Sequence, residues 1–264
     1  MNAITNKVEI VKMKPNVLIL RAPGTNCDLE TAYAFELAGA TAERIHVNQI
    51  LNNPSELDRF QIMCFPGGFS YGDDIAAGRV MATKIRVNLF DTIQRFRDAG
   101  KLILGICNGF QILIKSGILV ADDEQGAPVT LTWNKSGVYT DRWTRLTVKG
   151  DKCVFLKGIE SMYLPIAHAE GKFMARDDSV LDKLEAEGRL SLRYVPEDNP
   201  NGAMRDVAGA CDETGCVFGL MPHPERHIDK TQRPNWTRFR NDPEFADKVG
   251  DGLQIFKNAV DYFD

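Results

Sequence analysis

The sequence predicts an α/β protein: a doubly wound, mostly parallel sheet flanked by helices, with additional antiparallel or mixed strands in the second half. Three observations lead there. The apolar runs Asn16–Arg21 (NVLILR), Gln61–Phe65 and Lys101–Ile106 (KLILGI) are continuous rather than alternating, as strands buried on both faces are. Segments with helical spacing separate them, which is the strand–helix alternation of a parallel sheet. Beyond Ala121 the runs shorten and are interrupted by polar residues, the texture of antiparallel pairing.

Taken in order, Pro15 opens the first strand and Pro23-Gly24 closes it. A helix follows, capped by Asn26 or Asp28, with Leu29, Ala32, Tyr33 and Leu37 recurring at helical spacing and Gly39 as its stop. Thr41–Val47 reads as the second strand, and Asn48–Arg59 as helical or irregular. Gln61–Phe65 ends abruptly at Pro66-Gly67-Gly68, Arg79–Asp98 reads as one helix, and Lys101–Ile106 is the next strand. Gly109–Lys115 carries a helix that stops at Gly117. In the second half the strand candidates are Val129–Trp133, Trp143–Val148, Ser161–Ile166, Leu190–Tyr194, Val207–Cys211 and Cys216–Leu220. Asp212-Glu213-Thr214-Gly215 joins the last two with hairpin chemistry, and Leu253–Phe263 closes the chain as an amphipathic helix. No repeat, linker or low-complexity stretch interrupts the pattern, so we expect one domain over 15–264 behind a polar lead-in at 1–14.

Composition narrows the function. With 264 residues, 44% hydrophobic, 26% charged and 22 glycines, the chain can bury a sizeable core, which argues against disorder, collagen and coiled coil. A net charge of -4 supplies no basic field for nucleic acid or an anionic membrane, so a small substrate is expected. The lead-in has no apolar core of a signal peptide, and no stretch approaches the roughly 20 apolar residues that cross a bilayer. The six cysteines are irregularly spaced without a CxxC pair, against a disulfide framework or a metal site and in favour of a reduced, cytoplasmic setting.

The chemistry begins at Gly105-Ile106-Cys107-Asn108-Gly109, where a predicted strand meets a predicted helix. Glycines on either side permit a sharp turn that lifts the central thiol out of the sheet, the logic of a nucleophile elbow with cysteine in the serine position. The helix start beneath it favours thiolate over a free-thiol pKa of about 8.5. Downstream, Pro222-His223-Pro224-Glu225 follows the last strand. Prolines favour extended geometry, so residues at i and i+2 point the same way and Glu225 can orient His223 as the base for a thiol. Gly67 and Gly68 can offer a bare backbone N–H, and the N–H of Asn108 a second, for the oxyanion of an acyl transfer.

The glycine-flanked cysteine and Gln111, the Pro66-Gly67-Gly68 turn and His223-Pro224-Glu225, in that chain order, resemble the signatures of the triad-type (class I) glutamine amidotransferases. Within that family, Ala22–Cys27, Phe65–Asp73, Cys107–Gln111, His168–Gly171, Asn199–Gly202 and Met221–Arg226 together resemble the glutaminase subunits of phosphoribosylformylglycinamidine synthases. The resemblance spans about Pro15 to Phe263. It implies a flavodoxin-like fold, a Cys107–His223–Glu225 triad, an oxyanion hole at Gly68 and Asn108, and Gln111 holding the substrate glutamine. It also implies release of ammonia through a γ-glutamyl thioester to a large synthetase subunit as partner, and leaves open an additional small subunit. ATP and Mg would serve that partner, and no cofactor is expected in this chain, which has no G-x-x-x-x-G-K-[ST] loop. His168 is placed near the site, lining the path to the partner.

Other residues read as structural. His46 is expected at a strand end, His227 at the rim, and Asp73 or Asp74 at a helix cap or in solvent. Arg233–Arg240 interleaves basic and aromatic residues and reads as a surface for the synthetase, centred on Trp236. Two other functions compete: a free-standing γ-glutamyl hydrolase, and a non-catalytic elbow-cysteine redox or interaction protein.

Overall fold

The computed structural model describes residues 14–243 and 248–264, so nearly all of the expected lead-in lies outside the described residues. Four strands, β1 (Asn16–Arg21), β2 (Thr41–His46), β3 (Ile62–Phe65) and β4 (Leu102–Ile106), alternate with helices α1 (Asp28–Leu37), α2 (Val47–Asn52), α3 (Arg79–Asn88) and α4 (Phe90–Asp98). α5 (Asn108–Lys115) leaves the end of β4. The second half adds β5 (Val129–Thr132), β6 (Thr140–Val148), β7 (Ser161–His168), β8 (Lys172–Ala175), α6 (Asp178–Ala186), β9 (Leu192–Tyr194), β10 (Val207–Cys211), β11 (Val217–Leu220) and α7 (Leu253–Asp261).

Nine strands form one sheet in the order β2-β1-β3-β4-β11-β10-β9-β6-β7. From β2 to β11 every neighbouring pair is parallel, and from β11 to β7 every pair is antiparallel. β3 and β4 are buried at every residue, which is why they read as unbroken apolar runs. β10 and β11 form the hairpin expected around Asp212, whose carboxylate accepts from Thr214 and from the Val217 N–H. β5 and β8 pair separately as a small antiparallel ribbon.

The structure corrects several expectations. On α1, neither Asn26 nor Asp28 caps the helix, and Leu29, Tyr33 and Leu37 face outward at 64%, 58% and 48% exposure. The buried face is Thr31, Ala32, Ala34 and Phe35: the small residues let the helix approach the sheet, and Phe35 meets Phe256 of α7 edge-on at 4.9 Å. Buried Asp28 fixes the rotation by pairing with Arg21 at 2.7 Å and Arg44 at 2.9 Å. The single helix expected over Arg79–Asp98 breaks at Leu89, which turns inward and is buried, while the Asn88 side chain donates to the Lys84 carbonyl. β8 and α6 were not anticipated, although Asp177 caps α6 by accepting from the Val180 N–H ahead of Leu181 and Leu184.

Candidate active site

Cys107 stands between β4 and α5 with φ 51° and ψ -104°, a conformation that costs an L-residue on the order of 1–3 kcal/mol. The surroundings impose it. A side chain at Gly109 would place its Cβ 1.9 Å from the Phe65 carbonyl oxygen, and one at Gly105 would come within 2.6 Å of Leu113 and 2.8 Å of the Gly109 backbone. Both glycines therefore let α5 lie against the ends of β3 and β4. The Cys107 N–H donates to the Leu220 carbonyl at 2.8 Å, tying the elbow to β11.

β11 delivers the second group. The His223 N–H donates to the Pro165 carbonyl of β7 at 2.9 Å, and its Nδ1 lies 2.7 Å from Glu225 Oε1. A carboxylate oxygen accepts, so Nδ1 carries the hydrogen and Nε2 is free for the thiol. Both side chains are buried. Burial alone would depress the imidazole pKa, but the charges of Glu225 and Cys107 outweigh it and hold His223 well above its usual range. Gly67 makes room for this ring: a Cβ there would lie 2.8 Å from His223 Cε1 and 3.0 Å from Cys27 Sγ. Gly68, at φ 143°, is packed against the Gly24–Asn26 backbone, and neither its N–H nor that of Asn108 donates elsewhere among the described residues.

Asn108 and Gln111 belong to one network. Asn108 accepts from the Ser70 N–H at 3.1 Å and donates to Asp73 at 3.0 Å and to Gln111 Oε1 at 2.9 Å, while Gln111 donates to the Glu170 carbonyl at 2.7 Å. A cavity of about 310 Å³ opens over Cys107, bordered by Gly68, Asp73, Gln111, Trp133, His168 and Glu170. The expected elbow, turn and His168 thus converge on one hollow, while His223 and Glu225 are not among the residues that border it. A larger hollow of about 610 Å³ between Trp143, Arg145, Tyr163 and Arg233 contains none of these groups.

Sequence reasoning missed Asp73, Glu170, Asn134 and Cys27. Asp73 is neither a helix cap residue nor free in solvent: it borders the cavity, accepts from the Gly78 N–H, and its carboxyl is pushed up by burial. Glu170 accepts from the Ala77 N–H and pairs with Lys115 at 3.3 Å. His227 is not at a rim but buried, with Nδ1 2.8 Å from the Tyr163 carbonyl and its ring edge-on to Trp143. His46 is structural as expected, accepting from the Asn48 N–H at the start of α2. Cys27 lies close to His223 and Glu225, where burial pushes its thiol up to about 11. Donor atoms of Cys27, His223 and Glu225 fall within 4.8 Å of one another. Glu225 Oε1 is already engaged by His223, however, and the Arg226 guanidinium donates to Cys27 Sγ at 3.1 Å.

Residues 14–263 match the family of CobB/CobQ-like glutamine amidotransferase domains. The chain belongs to that family. Among relatives of this amidotransferase, the phosphoribosylformylglycinamidine synthase subunit PurQ of Dehalococcoides mccartyi is 49% identical, over 94% of this chain and 97% of that protein. The protein of the same name from Methanococcus maripaludis is 39% identical, over 96% and 99%. A chain in the structure of PurLQS from Thermotoga maritima superposes with a TM-score of 0.74 at 32% identity, over 96% of this chain and all of that one. A Thermotoga maritima glutamine amidotransferase shares the fold at a TM-score of 0.53 and 16% identity.

Proposed function

We propose that this amidotransferase is the glutaminase subunit of a phosphoribosylformylglycinamidine synthase, with Cys107, His223 and Glu225 as its triad. The observation that carries the reading is the strained thiol of Cys107 held over a helix start, beside a histidine whose far nitrogen is fixed by a carboxylate at 2.7 Å. His223 takes the thiol proton, Cys107 Sγ attacks the γ-carboxamide carbon of glutamine, and the N–H groups of Gly68 and Asn108 receive the oxyanion. The C–N bond breaks as His223 returns the proton to the leaving nitrogen, giving ammonia and a γ-glutamyl thioester. Water, deprotonated by the same imidazole, then releases glutamate. Gln111 holds the substrate, and Gly67 acts by leaving room for the imidazole.

Ammonia passes to a synthetase subunit that converts formylglycinamide ribonucleotide to the amidine with ATP and Mg, and a small additional subunit can complete the assembly. Relatives named as PurQ, and the PurLQS structure, support that assignment. Residues 15–264 act as one amidotransferase domain, and no cofactor is required in it. All six cysteines are buried and unpaired, in keeping with a reducing cytoplasm, and among the described residues no helix is long and apolar enough to cross a membrane. Trp236, half-buried beside Arg233, which lies over the Tyr163 and Phe239 rings, marks a contact surface for the synthetase.

Glutamate release by wild type and Cys107→Ala, each alone and with the synthetase subunit and its nucleotide substrates, tests the reading. Release that rises with the synthetase and is lost by at least about 10³-fold in Cys107→Ala is expected. Equal release with and without the partner would instead identify a free-standing γ-glutamyl hydrolase, and no release under either condition a non-catalytic protein.

A further inference from the structure

Among the described residues, His168 Nε2 is buried without a hydrogen-bond partner, and of the residues with a side-chain atom in that state His168 alone lines the Cys107 cavity. An unsatisfied buried nitrogen costs about 1–3 kcal/mol unless something arrives to pair with it. Its hydrogen-bonding character follows from its neighbours. Asn134 Nδ2 donates to the carbonyls of Val138 at 3.0 Å and His168 at 2.8 Å, and Asn134 Oδ1 accepts from the Gly171 N–H at 3.1 Å. That orientation makes Oδ1 an acceptor for the His168 ring as well, so His168 Nδ1, 3.0 Å away, carries the hydrogen and Nε2 is a bare lone pair. A Cβ at Gly171 would lie 2.1 Å from Cε1 and 2.5 Å from Nε2, so the imidazole rests against backbone that only glycine permits.

Burial, reinforced by the charge of nearby His223, pushes the His168 imidazole down to about 3, and it stays neutral wherever the protein works. His168 and Cys107 line the same cavity, and the carbonyl oxygen of the preceding Ala167 is 3.8 Å from Cys107 Sγ. A fixed acceptor there discriminates by chemistry. A γ-carboxamide presents N–H groups to it, whereas a γ-carboxylate or a γ-ester presents only oxygen lone pairs, which it repels.

We propose that His168 Nε2 accepts an N–H of the substrate's γ-carboxamide and thereby selects amide over acid and ester at Cys107, an inference that rests on the amidotransferase reading above. It is a specificity-determining residue: it holds no proton in the reaction and forms no bond to carbon. The same lone pair opposes the carboxylate of the product glutamate and favours its departure.

The test uses the assembled synthase, comparing kcat/KM for glutamine with that for the γ-methyl ester of glutamate in wild type, His168→Ala and His168→Gln, with thermal melts as a folding control. His168→Ala is expected to lower the amide-to-ester ratio about tenfold, the rate equivalent of one hydrogen bond. His168→Gln, whose side-chain oxygen can reach the same place, is expected to recover part of that ratio. Equal losses on both compounds, or an unchanged ratio, would overturn the assignment. Absence of Cys107-dependent turnover of either compound by wild type would overturn the amidotransferase reading and this inference with it.

Discussion

The two halves of the sheet solve different problems. From β2 to β11 the strands are parallel, β3 and β4 are buried throughout, and the Cys107 thiol appears where backbone is pressed against backbone, at Gly105, Cys107 and Gly109. From β10 to β7 they are antiparallel, and what that half brings to the cavity, His168 and Glu170, is held by side-chain hydrogen bonds to Asn134 and Lys115. Cys107 is thus positioned by steric exclusion and its surroundings by polar networks. The first kind of support fails all at once when volume is added. The second weakens stepwise as partners are removed or protonated.

The sharpest way to break that contrast is to add one methyl group in each setting. Gly109→Ala puts a carbon 1.9 Å from the Phe65 carbonyl, and α5 must lift off β3 to accept it. A loss of several kcal/mol of stability, and of the elbow with it, is expected in a thermal melt. Gly126→Ala, whose Cβ meets nothing within 4 Å although φ is 95°, should cost only about 1 kcal/mol. Similar losses at both positions would mean that α5 shifts to accept the methyl group, so that packing does not govern the elbow glycine.

A smaller effect is expected where shape is kept and charge removed. Glu225→Gln preserves volume beside His223 but no longer stabilises imidazolium, so kcat for glutamate release should fall roughly 10²- to 10⁴-fold while the fold survives. The pH dependence has a definite sign. Because Glu225 helps hold the His223 pKa above the unfolded value near 6.5, its contribution to stability is complete below about that pH and is lost as pH rises through the raised folded value. The variant should therefore lose stability less steeply on the alkaline side than wild type. An unchanged alkaline slope in urea titrations would show that Glu225 does not set the histidine's charge.

How much was legible in the sequence follows the same division. β1, β3 and β4 were readable because strands buried on both faces leave continuous apolar runs, and the elbow because its steric rule needs glycine at 105 and 109. The pairing of His223 with Glu225 was expected from proline-extended backbone, but only His223 is extended; Pro224–Arg226 turns as a 3-10 helix, which still brings Nδ1 within 2.7 Å of Glu225 Oε1. The rotation of α1 was not readable: Leu29, Tyr33 and Leu37 make a convincing apolar stripe, and only the buried Asp28 with its two arginines turns it outward. Asp73, Glu170 and Asn134 left no local signal either, because their roles depend on contacts between segments far apart in sequence. Asn134, for example, reaches His168 across 34 positions. α6 is different, since the cap at Asp177 and the apolar spacing after it were present to be read.

The polar-network half is open to a test by acid. In the folded protein the His168 pKa is depressed to about 3, against about 6.5 when unfolded. Between those values the unfolded chain binds a proton that the folded chain refuses, so stability falls as pH falls, by at most ~1.4 kcal/mol per pH unit from this one group. His168→Gln removes the titration, so the difference in unfolding free energy between wild type and variant should shift in the variant's favour from pH 6.5 downward and level off near pH 3. Taking the difference cancels the carboxylates, such as Asp123 with Arg176, that titrate in both proteins. A difference that stays flat across that window would mean that the ring leaves its site when protonated. The Asn134 network would then be a hinge, and the contrast with the sterically locked elbow would be larger than the folded geometry alone conveys.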